Sequence, residues 1–223
     1  MQNKILINRL KDNAELAMAA YGYFHLADSK YDFNKDNTDT ERLEYFRELK
    51  DDKTQSLFPT HADILNIEYK YFKDENGKPQ DSWYHNRLFD GDMTPTQAKR
   101  FFSCYDLLIH QPNTESGFSA TLFGEKRKQR NTESKEISYT SEYGYINYIL
   151  AIRGTEPLNR GDIGADTKLA LGNIPKKQHL DMLLFYNQCI GNIPFYVERD
   201  SKEYIESRKG SINEKVFTHS FII

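Results

Sequence analysis

The feature that most constrains the fold is an apolar stretch, Tyr145–Ile152, which is followed at once by Arg153, Gly154 and Thr155. Its β-branched, aliphatic and aromatic residues predict a strand buried in a sheet. Glycine directly after a strand permits the chain to leave it sharply. A polar loop comes next, and helical spacing follows over Asp162–Leu171. The segment therefore predicts a buried strand, a polar loop at its carboxyl end and then a helix.

Helical patterns dominate the first hundred residues. The spacing of apolar residues predicts helices over Asn3–Phe24, Glu41–Leu49 and Ala62–Phe72. Another helix is predicted to begin at Thr94-Pro95, because threonine is a good N-cap and proline suits the first helical position. A turn is predicted within Lys73–Gln80, which contains Asn-Gly and proline.

Strand patterns begin near residue 116. We predict strands over Phe118–Phe123, Ile137–Thr140, Tyr145–Ile152 and Val216–Ile223, a charged loop over Lys126–Glu136, and a helix over Pro175–Ile190. Helices, then strands, then alternating helix and strand are typical of a three-layer α/β architecture with a mixed sheet. We expect a single domain over residues 1–223, mainly helical in 1–100 and containing the sheet in 101–223.

Charge and composition disfavour several classes of protein. Lys and Arg number 30 and Asp and Glu 33, so the net charge of −3 gives no support for nucleic-acid binding. Asp32, Asn34 and Asp36 alternate as in a calcium loop, but the required glycine is missing and Leu43 stands where a glutamate should be, so we predict no metal and no cofactor. Cys104 and Cys189 are predicted to be buried free thiols.

The sequence predicts neither a classical signal peptide nor a transmembrane helix. Charged residues such as Arg9, Lys11 and Asp12 interrupt the apolar run that a signal peptide would need. No apolar stretch has the length of a transmembrane helix. We therefore expect a cytoplasmic protein, or one exported without a classical signal peptide.

The strand ending in Arg153-Gly154-Thr155, followed by Asp162-Ile163-Gly164-Ala165-Asp166, resembles the class 3 lipase-like family of α/β-hydrolases. In that family a strand ending in R-G-[ST] precedes a D-W-x-x-D element. The resemblance extends back to Ser116-Gly117-Phe118-Ser119-Ala120 and forward to Pro175-Lys176-Lys177-Gln178, and it covers roughly residues 106–190. It departs from the family at Ile163, where a tryptophan is usual.

The resemblance implies an oxyanion hole. The hydroxyl and backbone N–H of Thr155 would donate to the oxygen that becomes negative when an ester carbonyl is attacked. Gly154 would bring the loop backbone close to the substrate. Asp162 would cap the following helix, and Asp166 would fix the loop against it.

The nucleophile of that family stands in a Gly-x-Ser-x-Gly turn, and no such pentapeptide occurs in this chain. The nearest match is Ser220 in Thr218-His219-Ser220-Phe221-Ile222, where threonine and isoleucine replace both glycines. His219 cannot serve its neighbour as a base, because adjacent strand side chains point to opposite faces. The acid and base would therefore come from residues beyond Ile223.

Two functions follow from these observations. The first is a truncated or split lipase-like serine hydrolase of carboxylic lipid esters, inactive alone and completed by a C-terminal fragment. The second is a non-catalytic binding module on an α/β scaffold, which the missing triad and the tyrosine-rich N-terminal region favour.

Overall fold

The computed structural model describes residues 2–33, 37–80, 87–130, 132, 134–154, 175–192 and 221–222. Residues 1–106 and 107–223 form two compact units. That the two units make one folding domain stays a prediction.

The first unit is mainly helical. Its helices are α1 (Gln2–Ala19), α2 (Asn37–Leu49), α3 (His61–Leu65) and α4 (Pro95–Cys104), with short 3₁₀ turns at Phe24–Ala27 and Ile67–Tyr69. Residues 3–14 of α1 are exposed, whereas Leu16, Ala19 and Ala20 are buried. The helix is therefore anchored through its C-terminal third.

Aromatic rings fill the core of the first unit. The ring of Phe46 on α2 lies 5.5 Å from that of Tyr69 and 5.2 Å from that of Phe89. The ammonium group of Lys50 lies 4.7 Å from the centre of the Tyr69 ring, within cation–π range. Large rings thus supply a core in a chain whose apolar share is only 38%.

The predicted start of α4 is confirmed. The hydroxyl of Thr94 accepts a hydrogen bond from the backbone N–H of Gln97, and the Gln97 side chain accepts one from the N–H of Thr94. This capping box satisfies N–H groups that have no partner within the helix. The turn within Lys73–Gln80 is also confirmed, with Gly77 at φ +73°.

A four-stranded mixed sheet organises the second unit. Its strands are β1 (Tyr105–Gln111), β2 (Ala120–Glu125), β5 (Tyr148–Ile152) and β6 (Phe221–Ile222), in the order β1-β2-β5-β6. β2 and β5 are antiparallel, with Ala120 opposite Ile152, and β5 and β6 are parallel, with Tyr148 opposite Phe221. The chain is therefore a mixed helix-and-sheet protein.

Both faces of the β2–β5 pair are buried. One face packs on helix α5 (Lys176–Cys189) through a cluster that includes Leu122, Leu150 and Phe185. The alternate residues of the same strands are buried as well, and they comprise Thr121, Phe123, Ile149 and Ala151. Burial on both faces is typical of a sheet at the centre of a layered α/β structure.

A second, two-stranded sheet follows β2 directly in the chain. Strands β3 (Arg127–Arg130) and β4 (Ile137–Thr140) are antiparallel and are joined to β2 and β5 by short links. The ring of Tyr145 in one link lies over Gly124, where a Cβ atom would come within 2.6 Å of the ring. We call residues 126–140 the ribbon arm.

The structure corrects three predicted elements. α1 ends at Ala19 rather than Phe24, since Gly22 is a poor helix former and Phe24 begins a 3₁₀ turn. The helix predicted over Ala62–Phe72 is wrong beyond Leu65, because Asn66 leaves it to cap the next turn. The charged segment predicted as a loop contains β3, because pairing with β4 fixes its backbone.

Candidate functional site

The candidate site is the carboxyl end of β5, where the sequence predicted an oxyanion hole. β5 lies between β2 and β6, and the chain leaves it through Arg153 and Gly154. Arg153 exposes only 7% of its surface, whereas Gly154 is exposed. The strand end thus combines a buried guanidinium group with an accessible backbone.

Hydrogen bonds tie this strand end to its neighbours. The backbone N–H of Arg153 donates to the carbonyl oxygen of Ser119 at 2.9 Å, just beyond the paired residues of β2 and β5. The hydroxyl of Ser119 donates to the carbonyl oxygen of Gln111, the last residue of β1, also at 2.9 Å. Ser119 is almost fully buried, so these bonds are shielded from competing water. The end of β1, the entry of β2 and the exit of β5 are therefore held at fixed distances from one another.

The loop between β1 and β2 is fastened to α5. The carboxylate of Asp181 accepts hydrogen bonds from the hydroxyls of Thr114 at 2.8 Å and Ser116 at 2.6 Å. Within the loop, Gly117 adopts φ +86°, a conformation that disfavours residues with a Cβ atom. Sequence reasoning missed Asp181 and Thr114, because a carboxylate on a polar helix face gives no signal of a partner 67 residues away.

Three of the segments that carry the family resemblance therefore meet in space. Ser116–Ala120 lies beside the end of β5, and α5 packs on the same strands while its Asp181 holds Ser116. Such a fixed strand end can present backbone N–H groups to a substrate without reorganising.

Most residues to which the resemblance assigns a role lie outside the described residues. These are Thr155, Asp162, Asp166 and Ser220. Ile163, His219 and the helix predicted over Asp162–Leu171 lie outside the described residues too. Their roles stay predictions. In the chain, Ser220 directly precedes β6, whereas the nucleophile of the family follows its strand.

His110 and His25, both within the described residues, lie within hydrogen-bond distance of another side chain. Nδ1 of His110 on β1 lies 2.8 Å from the hydroxyl of Thr121 on β2. In the first unit, Nε2 of His25 lies 3.1 Å from the carboxylate of Asp39. Sequence reasoning missed this pair, since no motif links the two residues.

The surroundings of Asp39 indicate a structural role. Tyr31 and Arg42 also donate to its carboxylate, at 2.9 and 2.7 Å, and Asp39 is buried. Burial alone raises the pKa of Asp39, but the hydrogen bonds and charges of His25 and Arg42 outweigh it and lower the pKa to about 2. The carboxylate of Asp39 therefore stabilises the local structure by accepting hydrogen bonds from three side chains.

Metal ligands are not gathered in the part of the chain that the structure describes, where no group of three or more His, Cys, Asp or Glu residues could hold an ion. Asn34 and Asp36 of the calcium-like pattern lie outside it. None of the described helices is both long and apolar enough to cross a membrane.

Compared with known proteins, the chain matches no family model, no curated protein and no solved structure.

Proposed function

We propose that this chain carries the oxyanion-stabilising part of a lipase-like serine hydrolase that cleaves carboxylic esters of lipids. The observation that carries the proposal is the meeting of Ser116–Ala120, the Arg153-Gly154 strand end and α5 at one edge of the sheet. These segments are distant in sequence, and each belongs to the family resemblance. Their convergence is what a shared site requires.

The proposed fold is an α/β-hydrolase-like, three-layer sheet. Burial of both faces of β2 and β5 supports it, as does the parallel pairing of β5 with β6. In such sheets, ligands bind outside the carboxyl ends of the parallel strands. Gly154 follows that end of β5, which is why the site is assigned there.

The chemistry assigned to this chain is stabilisation of the oxyanion. When a serine oxygen attacks the ester carbonyl, negative charge develops on the carbonyl oxygen, and the hydroxyl and N–H of Thr155 would donate to it. Removing one such donor typically lowers kcat by about 10²–10³-fold. We propose that the nucleophile, acid and base come from a C-terminal segment that complements this chain.

The first experiment is to sequence the DNA beyond the codon for Ile223 and to translate all three frames. We expect a Gly-His-Ser-x-Gly sequence followed by an aspartate and a histidine. The joined chain should then hydrolyse a p-nitrophenyl ester. In it, Thr155→Val should lower kcat by about 10²-fold or more, while Thr155→Ser should keep most of the activity.

The matched control is Thr96→Val, which makes the same change on the exposed surface of α4. It should leave kcat unchanged. The chain alone should not react with a fluorophosphonate probe. Labelling that disappears in Ser220→Ala would overturn the need for a complementing segment. Absence of the downstream motif, together with no labelling, would sink the hydrolase proposal and favour a binding module.

A further inference from the structure

The ribbon arm is more exposed than strands β1, β2 and β5 and helix α5 of the described part of the second unit. All four residues of β3 and the first three of β4 are exposed, and the fourth is half-buried. Four residues per strand give the ribbon a length of about 13 Å. A two-stranded ribbon is at best marginally stable by itself in water. Contact with a partner would therefore stabilise it further.

The arm concentrates positive charge in an acidic chain. Residues 126–140 contain five basic and two acidic side chains, whereas the chain as a whole carries −3. Among the residues that the structure describes, no carboxylate forms an ion pair with Arg127, Lys128 or Arg130. These cations therefore complement an anionic surface.

The strand register separates the arm into two different faces. Lys128 stands opposite Tyr139, and Arg130 stands opposite Ile137, so these four side chains share one face. The alternate positions, Arg127, Gln129, Ser138 and Thr140, form the other face and contain no apolar side chain. One face therefore pairs cations with apolar groups, and the other is wholly polar.

The apolar residues decide which anionic partner fits. Ile137 exposes 53% of its surface and Tyr139 exposes 36%. Phosphate groups of a bilayer can pair with the cations while an aliphatic side chain enters the acyl region and a tyrosine ring rests at the headgroup level. A nucleic-acid backbone would pair with the cations but would leave Ile137 in water.

We propose that the Lys128–Arg130–Ile137–Tyr139 face of the ribbon arm binds the surface of a membrane that contains anionic phospholipid. The binding does not depend on ester hydrolysis. Its failure would therefore leave the proposed enzymatic function standing, and the reverse also holds.

The test is co-sedimentation of the full chain with phospholipid vesicles. The chain should bind vesicles of phosphatidylcholine and phosphatidylglycerol in equal parts and should not bind phosphatidylcholine alone. Each cation near an anionic surface contributes about fivefold in affinity, so Lys128→Gln with Arg130→Gln should weaken binding about 25-fold. Raising the salt concentration should weaken binding of the unaltered chain, because salt screens these charges.

A control pair and an uncharged substitution test whether this face, and not the charge of the chain as a whole, binds the vesicles. The pair Lys53→Gln and Lys99→Gln removes two exposed cations from the first unit and should leave binding unchanged. Ile137→Ser keeps every charge and should still weaken binding several-fold. Thermal unfolding of each variant should match that of the unaltered chain, since all these side chains are exposed.

A variant with a fluorescent side chain at position 137 reports directly whether that side chain enters the bilayer. The emission of Ile137→Trp should shift to shorter wavelength when anionic vesicles are added, and it should not shift with duplex DNA. No binding to the anionic vesicles would overturn the proposal. An equal loss of vesicle binding in the double variant Lys128→Gln with Arg130→Gln and in the control Lys53→Gln with Lys99→Gln would also overturn it. So would tight binding to duplex DNA combined with no effect of Ile137→Ser on vesicle binding.

Discussion

The backbone N–H of Arg153 donates a hydrogen bond of 2.9 Å to the carbonyl oxygen of Ser119, which joins the exit of β5 to the entry of β2. The two residues are 34 positions apart, and each belongs to a segment of the family resemblance. This bond extends the antiparallel pairing by one step past Ala120 and Ile152. It fixes the backbone of Arg153, so the point at which the chain leaves β5 depends on the pairing of the sheet.

The first prediction concerns the anchor of the β1–β2 loop. Asp181→Asn should lower the free energy of unfolding by about 1.5–3 kcal/mol, because two hydroxyls lose a charged acceptor. Urea unfolding followed by circular dichroism measures this. Asp12→Asn on the exposed part of α1 is the matched control and should have little effect. Equal stability of the two variants would show that the Thr114 and Ser116 bonds contribute nothing.

The second prediction concerns acid stability. Because the pKa of Asp39 is lowered in the folded state, its stabilising contribution is present above about pH 4 and is lost as the pH falls through about 2. A shift of this size corresponds to roughly 2 kcal/mol. The difference in unfolding free energy between the unaltered chain and Asp39→Asn should therefore shrink by that amount between pH 5 and about pH 2.

Urea titrations at a series of pH values measure this difference. Glu48→Gln, an exposed change on the same helix, is its control and should show a nearly constant difference. A constant difference for Asp39→Asn as well would mean that His25 and Arg42 do not stabilise the ionised carboxylate.

The third prediction concerns the close approach of two backbone segments. A Cβ atom at Gly91 would lie 2.3 Å from the carbonyl oxygen of Ile64 and from the carbonyl carbon of Leu65. Gly91→Ala should therefore cost about 3 kcal/mol, since backbone atoms would have to move. Gly77→Ala should cost only about 1 kcal/mol, because space is open there and only its φ of +73° opposes a side chain. Thermal unfolding compares them, and a reversed order would contradict the packing.

The fourth prediction concerns the two thiols. Cys104 is half-buried, whereas Cys189, the last residue of α5, is fully buried in the cluster between that helix and the sheet, where burial raises the pKa of its thiol to about 12. A thiol reagent at pH 8 should therefore modify one cysteine in the native protein and the second only after unfolding. Cys104→Ser should abolish the native reaction and Cys189→Ala should preserve it. Two fast native thiols would contradict the burial of Cys189.

Several elements were predictable from sequence because their signals are local. The capping residues Thr94 and Gln97 start α4 through contacts three residues apart. Similarly, α5 spans Lys176–Cys189 within the predicted segment, and Gly191 follows it at φ +77°. The strand at Ile137–Thr140 was predicted with its observed bounds. In each case the determining interactions lie within a few residues.

Other elements were not predictable because their partners are distant in sequence. Nothing near Asn66 indicates that it leaves the helix, and it does so where its backbone forms a bridge to Met93. β3 has the sequence of a charged loop, yet pairing with β4 makes it a strand, and Lys128 and Arg130 share a face with Ile137 and Tyr139 of β4. The position of Asp181 under the β1–β2 loop has no local signal either.

The sequence by itself determined the caps and turns of its elements, the apolar strand β5 and the Arg-Gly-Thr motif after it, since these depend on short-range sterics and hydrogen bonding. The tertiary structure alone decided which strands pair, which loop is tied to the exit of β5, and that the ribbon arm presents its cations beside exposed apolar groups. Those outcomes depend on contacts between residues far apart in the chain, which a local pattern does not encode.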